Sequence, residues 1–283
     1  MIERLEGTFF GYKDVELFYQ IWRSDQTRGT IVVTHGLAEH SENYNTFAQE
    51  LAQDGYTVVA WDLRGHGRSE GKRGYVEDFS DYSHDHDLMI KFVKAQIHKR
   101  EKPLFLFGHS LGGLITLKTL LLHAPAHVQA VLLSSPALGV SLEVPAIKVK
   151  AARFLSDWAP KVTLYNEINY RDLHKNEELI KKYQQDPLRH EKISPRLFLG
   201  MMSSIDEVFR QAQDIHLPLL MQLAGQEKVV STSSSQKFFD LVSSKRKEIH
   251  IYPDSFHEIF NDIESPSAFK DLKNFLQKNV GGE

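Results

Sequence analysis

The stretch Pro103-Leu104-Phe105-Leu106-Phe107-Gly108-His109-Ser110-Leu111-Gly112-Gly113-Leu114-Ile115-Thr116-Leu117 decides the fold. It opens on an apolar run of strand length and closes on one that continues to Leu122. Between them stands Gly108-His109-Ser110-Leu111-Gly112, a G-x-S-x-G. A strand that turns sharply into a helix holds the middle serine in a strained conformation, with its hydroxyl exposed above the sheet edge. Gly108 and Gly112 are needed because side chains there would collide where strand and helix nearly touch. The Leu111 amide then faces the place that an attacked carbonyl oxygen would take. Five residues alone also describe a glycine-rich turn that contains a serine; the flanking strand and helix favour a nucleophile. A serine hydroxyl attacks poorly until a base takes its proton, so the chain must supply a histidine and a carboxylate.

Outward from this point the pattern repeats. Gly29-Thr30-Ile31-Val32-Val33-Thr34 and Tyr56-Thr57-Val58-Val59-Ala60-Trp61 read as strands buried on both faces. Tyr44, Phe47, Ala48 and Leu51 share a helical face between them, stopped by Gly55. Residues 82–100 are predicted to form a helix on Met89, Phe92, Val93 and Ile97, and Val128–Leu133 another strand. Residues 8–23 alternate around Gly11, as an edge hairpin does. Strands alternating with helices at this spacing require parallel pairing through right-handed crossovers, hence a mostly parallel central sheet flanked by helices. The rhythm breaks at Pro136. From there to His216 we read helical pieces and no strand, so 136–216 is predicted to be a helical cap inserted into a core of residues 1–135 and 217–283. The sheet resumes at Leu217–Leu223 and ends with Lys247–Tyr252, and a closing helix starts at Ser265-Pro266.

Composition narrows the chemistry. The chain has 283 residues, no cysteine and a net charge of −3. Disulfides, thiolate catalysis and zinc-thiolate sites are excluded, and no polyanion or nucleic-acid partner is indicated. The N-terminal residues lack the apolar core of a signal peptide, and no run approaches the roughly 18 apolar residues of a membrane span. The expectation is a cytoplasmic protein, with peripheral membrane contact left open.

Catalytic groups in such sheets gather beyond the carboxyl ends of the strands. The loop after the last strand, Tyr252-Pro253-Asp254-Ser255-Phe256-His257-Glu258, holds the candidate base His257. The loop after the preceding strand, Ala224-Gly225-Gln226-Glu227-Lys228-Val229-Val230, offers one carboxylate, Glu227, with Asp254 and Asp206 as rivals. The order Ser…Glu…His suits this fold. The second oxyanion donor should follow the first buried strand. There Gly36 lets the backbone turn in close and makes the Leu37 amide the candidate. Gly36, Glu39 and His109 are the candidate substrate contacts.

Together these residues resemble a family. His35-Gly36-Leu37-Ala38-Glu39-His40-Ser41, Asp62-Leu63-Arg64-Gly65-His66-Gly67-Arg68-Ser69-Glu70-Gly71, Gly108-His109-Ser110-Leu111-Gly112-Gly113 and Phe256-His257-Glu258 are similar to blocks of the monoacylglycerol lipase and lysophospholipase group of α/β-hydrolases. The resemblance covers nearly the whole chain outside the cap. It implies Ser110 as nucleophile, His257 as base, the Leu37 and Leu111 amides as oxyanion hole, and Asp62 as organiser of its loop. The chain departs from the group in three places. Glutamate stands where the acid is usually aspartate, Ala38 replaces a glycine, and Glu42-Asn43 replaces a Gly-Arg pair whose arginine lies near the glycerol end.

The sequence reading is therefore a serine carboxylester hydrolase that cleaves a single-chain lipid ester through an acyl-enzyme, with no cofactor and no metal. Glycerol and glycerophospho-alcohols stay open, as does the oligomeric state. An acyltransferase or thioesterase using the same triad, or a non-catalytic lipid-binding protein, are the alternatives. Ser83-His84-Asp85-His86-Asp87 looks like part of a di-metal signature, but residues two apart on a helix face away from each other, so we read it as a solvated helix start. Val144, Ile147, Ala151, Phe154, Leu155 and Trp158 share a helical face. That stripe suits transient membrane-surface contact through the cap and equally the roof of an acyl pocket.

Overall fold

The computed structural model describes residues 2–99, 101–141 and 145–280. The alternating N-terminus pairs on itself, β1 (Ile2–Phe10) running antiparallel to β2 (Glu16–Ser24) on either side of Gly11. β3 (Gly29–Thr34), α1 (Asn45–Gln53), β4 (Tyr56–Trp61), α2 (Ser80–Gln96), β5 (Leu104–His109), α3 (Leu111–His123) and β6 (Val128–Ser134) follow in strict alternation. After α4 (Ala146–Trp158), β7 (Leu164–Tyr165), α5 (Glu177–Gln185), β8 (Lys192–Ile193) and α6 (Pro195–Arg210), the alternation returns. It closes with β9 (Leu219–Ala224), α7 (Thr232–Leu241), β10 (Lys247–Tyr252) and α8 (Ser265–Lys278).

Eight strands make one sheet in the order β1-β2-β4-β3-β5-β6-β9-β10. β2 meets β4 antiparallel, and every pair from β4 to β10 is parallel. The period of two sorts each buried strand between two cores. Val32, Val59, Leu104, Leu106, Val131 and Met221 pack on α2, α3 and α7. Ile31, Val33, Val58, Phe105, Phe107 and Leu132 face α1 and α8. Each such side chain contributes about 1.5–3 kcal/mol by leaving water, which is why the continuous apolar runs became central strands.

Four expectations need correction. The strand predicted from Leu217 begins at Leu219, since Pro218 has no N–H to give a central ladder. The segment expected to hold no strand carries a two-residue antiparallel ladder, Leu164–Tyr165 on Lys192–Ile193. α2 covers Ser80–Gln96 instead of 82–100. Its start, read as solvated, is buried. Asp85 accepts from Arg64 Nη2 at 2.7 Å and from the Tyr12 amide at 2.7 Å, and His86 stacks on Trp61 with centroids 5.8 Å apart. A polar helix face can be buried when another loop brings the matching charge. Here Arg64 does. No helix among the described residues is long and apolar enough to cross a membrane.

Candidate active site

Ser110 links β5 to α3 at φ 52° and ψ −120°, a strained conformation of about 1–3 kcal/mol that the surrounding backbone must hold in place. Its amide bonds the Ser134 carbonyl at 3.0 Å, and its own carbonyl accepts from Gly113 at 3.0 Å. A Cβ on Gly108 would lie 2.6 Å from the Gly112 carbonyl oxygen, and one on Gly112 would lie 2.1 Å from that of Thr34. Only glycine lets strand and helix approach this closely. Leu111 opens α3, where first-turn amides have no acceptor within the helix.

β9 and β10 are parallel neighbours with Ala224 opposite Tyr252, so the loops leaving them lie side by side. Those loops bring Glu227 to His257. Glu227 Oε2 and His257 Nδ1 are 2.8 Å apart, and each side chain is 3% exposed. The other oxygen, Oε1, accepts from the amides of Lys228, Val229 and Val230 at 3.0, 2.8 and 3.3 Å. Burial pulls the imidazole pKa down, but the charge and hydrogen bond of Glu227 outweigh it and the net shift is upward. Burial lifts the Glu227 carboxyl, and His257 outweighs that, so it lies below its ordinary value. Asp254 and Asp206, the rivals, are both exposed.

The loop after β3 folds in beside the serine. A Cβ on Gly36 would sit 3.1 Å from Ser110 Cβ. Glu39 accepts the Gly36 N–H and, at 2.9 Å, the Tyr44 hydroxyl. Asp62 ties the loop from beneath, its two oxygens accepting from the amides of Ser41 and Arg68 at 2.7 Å each. His109 turns Nδ1 toward the Ser134 carbonyl oxygen at 3.1 Å and lays its ring 4.7 Å from that of His257. Burial, with His257 nearby, depresses its pKa to about 3, so it stays neutral. Ala38, where the resembling group has glycine, takes φ 67°.

Two cavities meet at Ser110. One of about 720 Å³ is largely apolar, with Leu37, Leu111, Leu155, Phe198, Met201 and Val230 among its walls. Its volume lies within the usual range of ligand pockets. The other holds about 20 Å³ and has charged side chains among its walls. Glu39, His109, Arg189, Glu191, His257 and Glu258 line it together with Gly36 and Leu37.

Sequence reasoning missed the polar wall. Arg189, between α5 and β8, has a side chain only 4% exposed. Its Nη1 donates to Asn43 Oδ1 at 2.8 Å, Nη2 lies 4.0 Å from Glu258 Oε1, and the guanidinium carbon stands 3.8 Å from the Tyr183 ring centroid. Glu258 Oε2 accepts from Tyr183 Oη at 2.8 Å and Asn261 Nδ2 at 2.9 Å. Burial raises the Glu258 carboxyl, but Arg189 and its neighbours outweigh that and keep it low. Glu39, buried and facing Glu258, is pushed up to about 7. Position after His257 could have flagged Glu258; Arg189 sits in Asp186-Pro187-Leu188-Arg189-His190, which reads as an ordinary charged loop.

The α4 stripe divides. Ala151 and Leu155 line the apolar cavity, whereas Ile147, Phe154 and Trp158 are 72%, 61% and 78% exposed. Val144, the first residue of the predicted stripe, lies outside the described residues.

A nucleophile elbow above a mostly parallel sheet, with a buried histidine–carboxylate pair beside it, defines a serine hydrolase of the α/β-hydrolase fold. Residues 25–264 match the family described as "Serine aminopeptidase, S33". The chain is similar to the monoacylglycerol lipase of Mycolicibacterium smegmatis, 30% identical over an alignment of 282 positions that covers 98% of each chain. It is similar also to the phospholipase YtpA of Bacillus subtilis, 29% identical over 92% of this chain and 99% of that one. The crystal structure of a monoacylglycerol lipase from Paleococcus ferrophilus superposes with a TM-score of 0.81 at 28% identity, covering 98% of this chain and 99% of the other. The chain belongs to the serine aminopeptidase S33 family of hydrolases.

Proposed function

We propose that the protein hydrolyses single-chain lipid esters through an acyl-enzyme on Ser110. The observation that carries this reading is the 2.8 Å His257–Glu227 pair lining, on the His257 side, the same small cavity as the strained serine. His257 takes the serine proton as Oγ attacks the ester carbonyl, and the amides of Leu37 and Leu111 receive the oxyanion. Glu227 holds the imidazole and stabilises the imidazolium. His257 then returns the proton to the leaving alcohol, and water releases the fatty acid by the same steps.

The leaving oxygen must lie where His257 can protonate it. His257 lines the small cavity and not the large one, so the alcohol belongs on the His257 side and the acyl chain in the large apolar cavity. Residues 136–216 act as a cap over the core, because α4 and α6 supply Leu155, Phe198, Met201 and Ile205 to the acyl side. The exposed Ile147, Phe154 and Trp158, with Lys150 and Arg153 on the same helix, make a face suited to a lipid surface.

A fluorophosphonate probe should label wild type and neither Ser110→Ala nor His257→Ala. Turnover across monoacylglycerols, lysophospholipids and short esters should require both residues. Near wild-type turnover in either variant would sink the mechanism.

A further inference from the structure

We infer that Tyr183, on α5 of the inserted segment, is a positioning residue for the catalytic base, acting on His257 through Glu258. This rests on the hydrolase reading above. The inserted segment grips the loop that carries His257 on both sides of the imidazole. Ahead of it, Lys175 Nζ donates to the Asp254 carbonyl at 2.6 Å. Directly after it, the Glu258 amide donates to the Leu173 carbonyl at 2.7 Å, and Tyr183 Oη donates to Glu258 Oε2 at 2.8 Å. Further on, Asp262 accepts from the Lys175 amide at 3.2 Å and, with its other oxygen, from the Phe256 amide at 2.7 Å. Asn261 Nδ2 closes the cluster, 2.9 Å from Glu258 Oε2 and 3.3 Å from Tyr183 Oη.

Tyr183 is buried and lines neither cavity at Ser110, so it meets no substrate held there. Its ring face lies 3.8 Å from the Arg189 guanidinium carbon, and phenylalanine would keep that face. The hydroxyl ties the Glu258 side chain to α5. Glu258 in turn has two holds on the base. It is the next residue in the chain, and its carboxylate charge favours the imidazolium. Around His257 stand Glu227, Glu39, Glu258 and the neutral His109, while Arg189 and His174 face Glu258 from the inserted segment. A misplacement of about 1 Å can cost roughly a hundredfold in rate. The inserted segment is therefore part of the catalytic framework as well as a wall of the acyl cavity.

p-Nitrophenyl acetate tests this, because its short acyl group needs none of the apolar wall that α4 and α6 supply. Turnover is counted per serine labelled by a fluorophosphonate probe, so a poorly folded fraction does not enter it. In Tyr183→Phe, kcat should fall by about 10-fold, where the range for losing a hydrogen bond to a charged group begins, with KM within about twofold of wild type. A role in folding alone would lower the melting temperature and leave kcat per labelled serine unchanged, and that result overturns the inference. Glu258→Gln keeps the size and removes the charge. The imidazolium then loses a neighbour that favours it and the Arg189 charge is less offset, so the acid limb of kcat/KM should move to lower pH. Glu258→Asp keeps the charge, and its limb should lie closer to that of wild type while kcat drops. A limb that stays put or moves up in Glu258→Gln also overturns the inference. If one of Tyr183→Phe and Glu258→Gln yields no labelled enzyme, the other decides alone. Wild type without esterase activity would sink the hydrolase reading itself, whereas an active wild type matched by Tyr183→Phe overturns only the positioning role.

Discussion

Replacing Glu227 by glutamine swaps one carboxylate oxygen for an NH2 group, and the structure says which one. Oε1 accepts three backbone amides, from Lys228, Val229 and Val230, so the glutamine carbonyl must sit there. The NH2 is then forced toward His257 Nδ1, which becomes an acceptor. The ring proton moves to the other nitrogen, and the imidazole can no longer take a proton from Ser110. The charge that stabilises imidazolium goes as well. With an effective dielectric constant of about 20, unit charges about 4 Å apart interact by about 4 kcal/mol, or roughly a thousandfold in rate. The tautomer error adds to this, and the template triad loses about ten-thousandfold when its acid becomes the amide. Turnover of p-nitrophenyl octanoate, normalised to correctly folded enzyme by thermal unfolding, should therefore drop by roughly a thousandfold to ten-thousandfold. Glu227→Asp keeps the charge with a shorter reach and should do less harm. Asp254→Asn and Asp206→Asn, both at exposed positions, should cost little. Glu227→Gln at near wild-type turnover, with one of those two collapsing, refutes the argument and moves the acid to that residue.

Three further outcomes follow from the same geometry. Hydrolysis needs neutral His257, whose pKa is raised, so kcat/KM should fall as pH drops through a value above 6.5. Glu39 is one source of that rise, and Glu39→Gln should move the acid limb to lower pH; a limb that stays put or moves up contradicts the electrostatic account. Phe154→Ser with Trp158→Ser removes exposed rings that do not line the acyl cavity, so turnover of vesicle-borne ester should suffer several-fold more than that of a soluble short ester. Equal losses on both would return α4 to the role of pocket roof alone. Ala38 occupies φ 67°, so Ala38→Gly should stabilise by about 0.5–1 kcal/mol, the left-handed strain relieved less the extra freedom of the unfolded chain. A lowered melting temperature would show that the methyl group matters more than the strain.

Much of this molecule was legible in one dimension. Continuous apolar runs of strand length and the glycines around Ser110 are local signals, and backbone sterics act over a few residues. They located the central strands within a residue or two and put a serine on the sharp turn. The order of the loops placed His257 and Glu227 after adjacent parallel strands, which made their meeting foreseeable. What the chain order could not show is which side chains converge across long separations. The polar start of α2 looked solvated because its partner, Arg64, arrives from a loop 21 residues away from Asp85. The single stripe on α4 proved to be two faces, since a 3.6-residue period says which residues neighbour one another and not what roofs them. Above all, the Arg189–Asn43–Glu258 wall joins three loops whose positions only the packed sheet and its inserted segment determine. Charge pairing of this kind depends on distance and burial, and both exist only once the chain has folded.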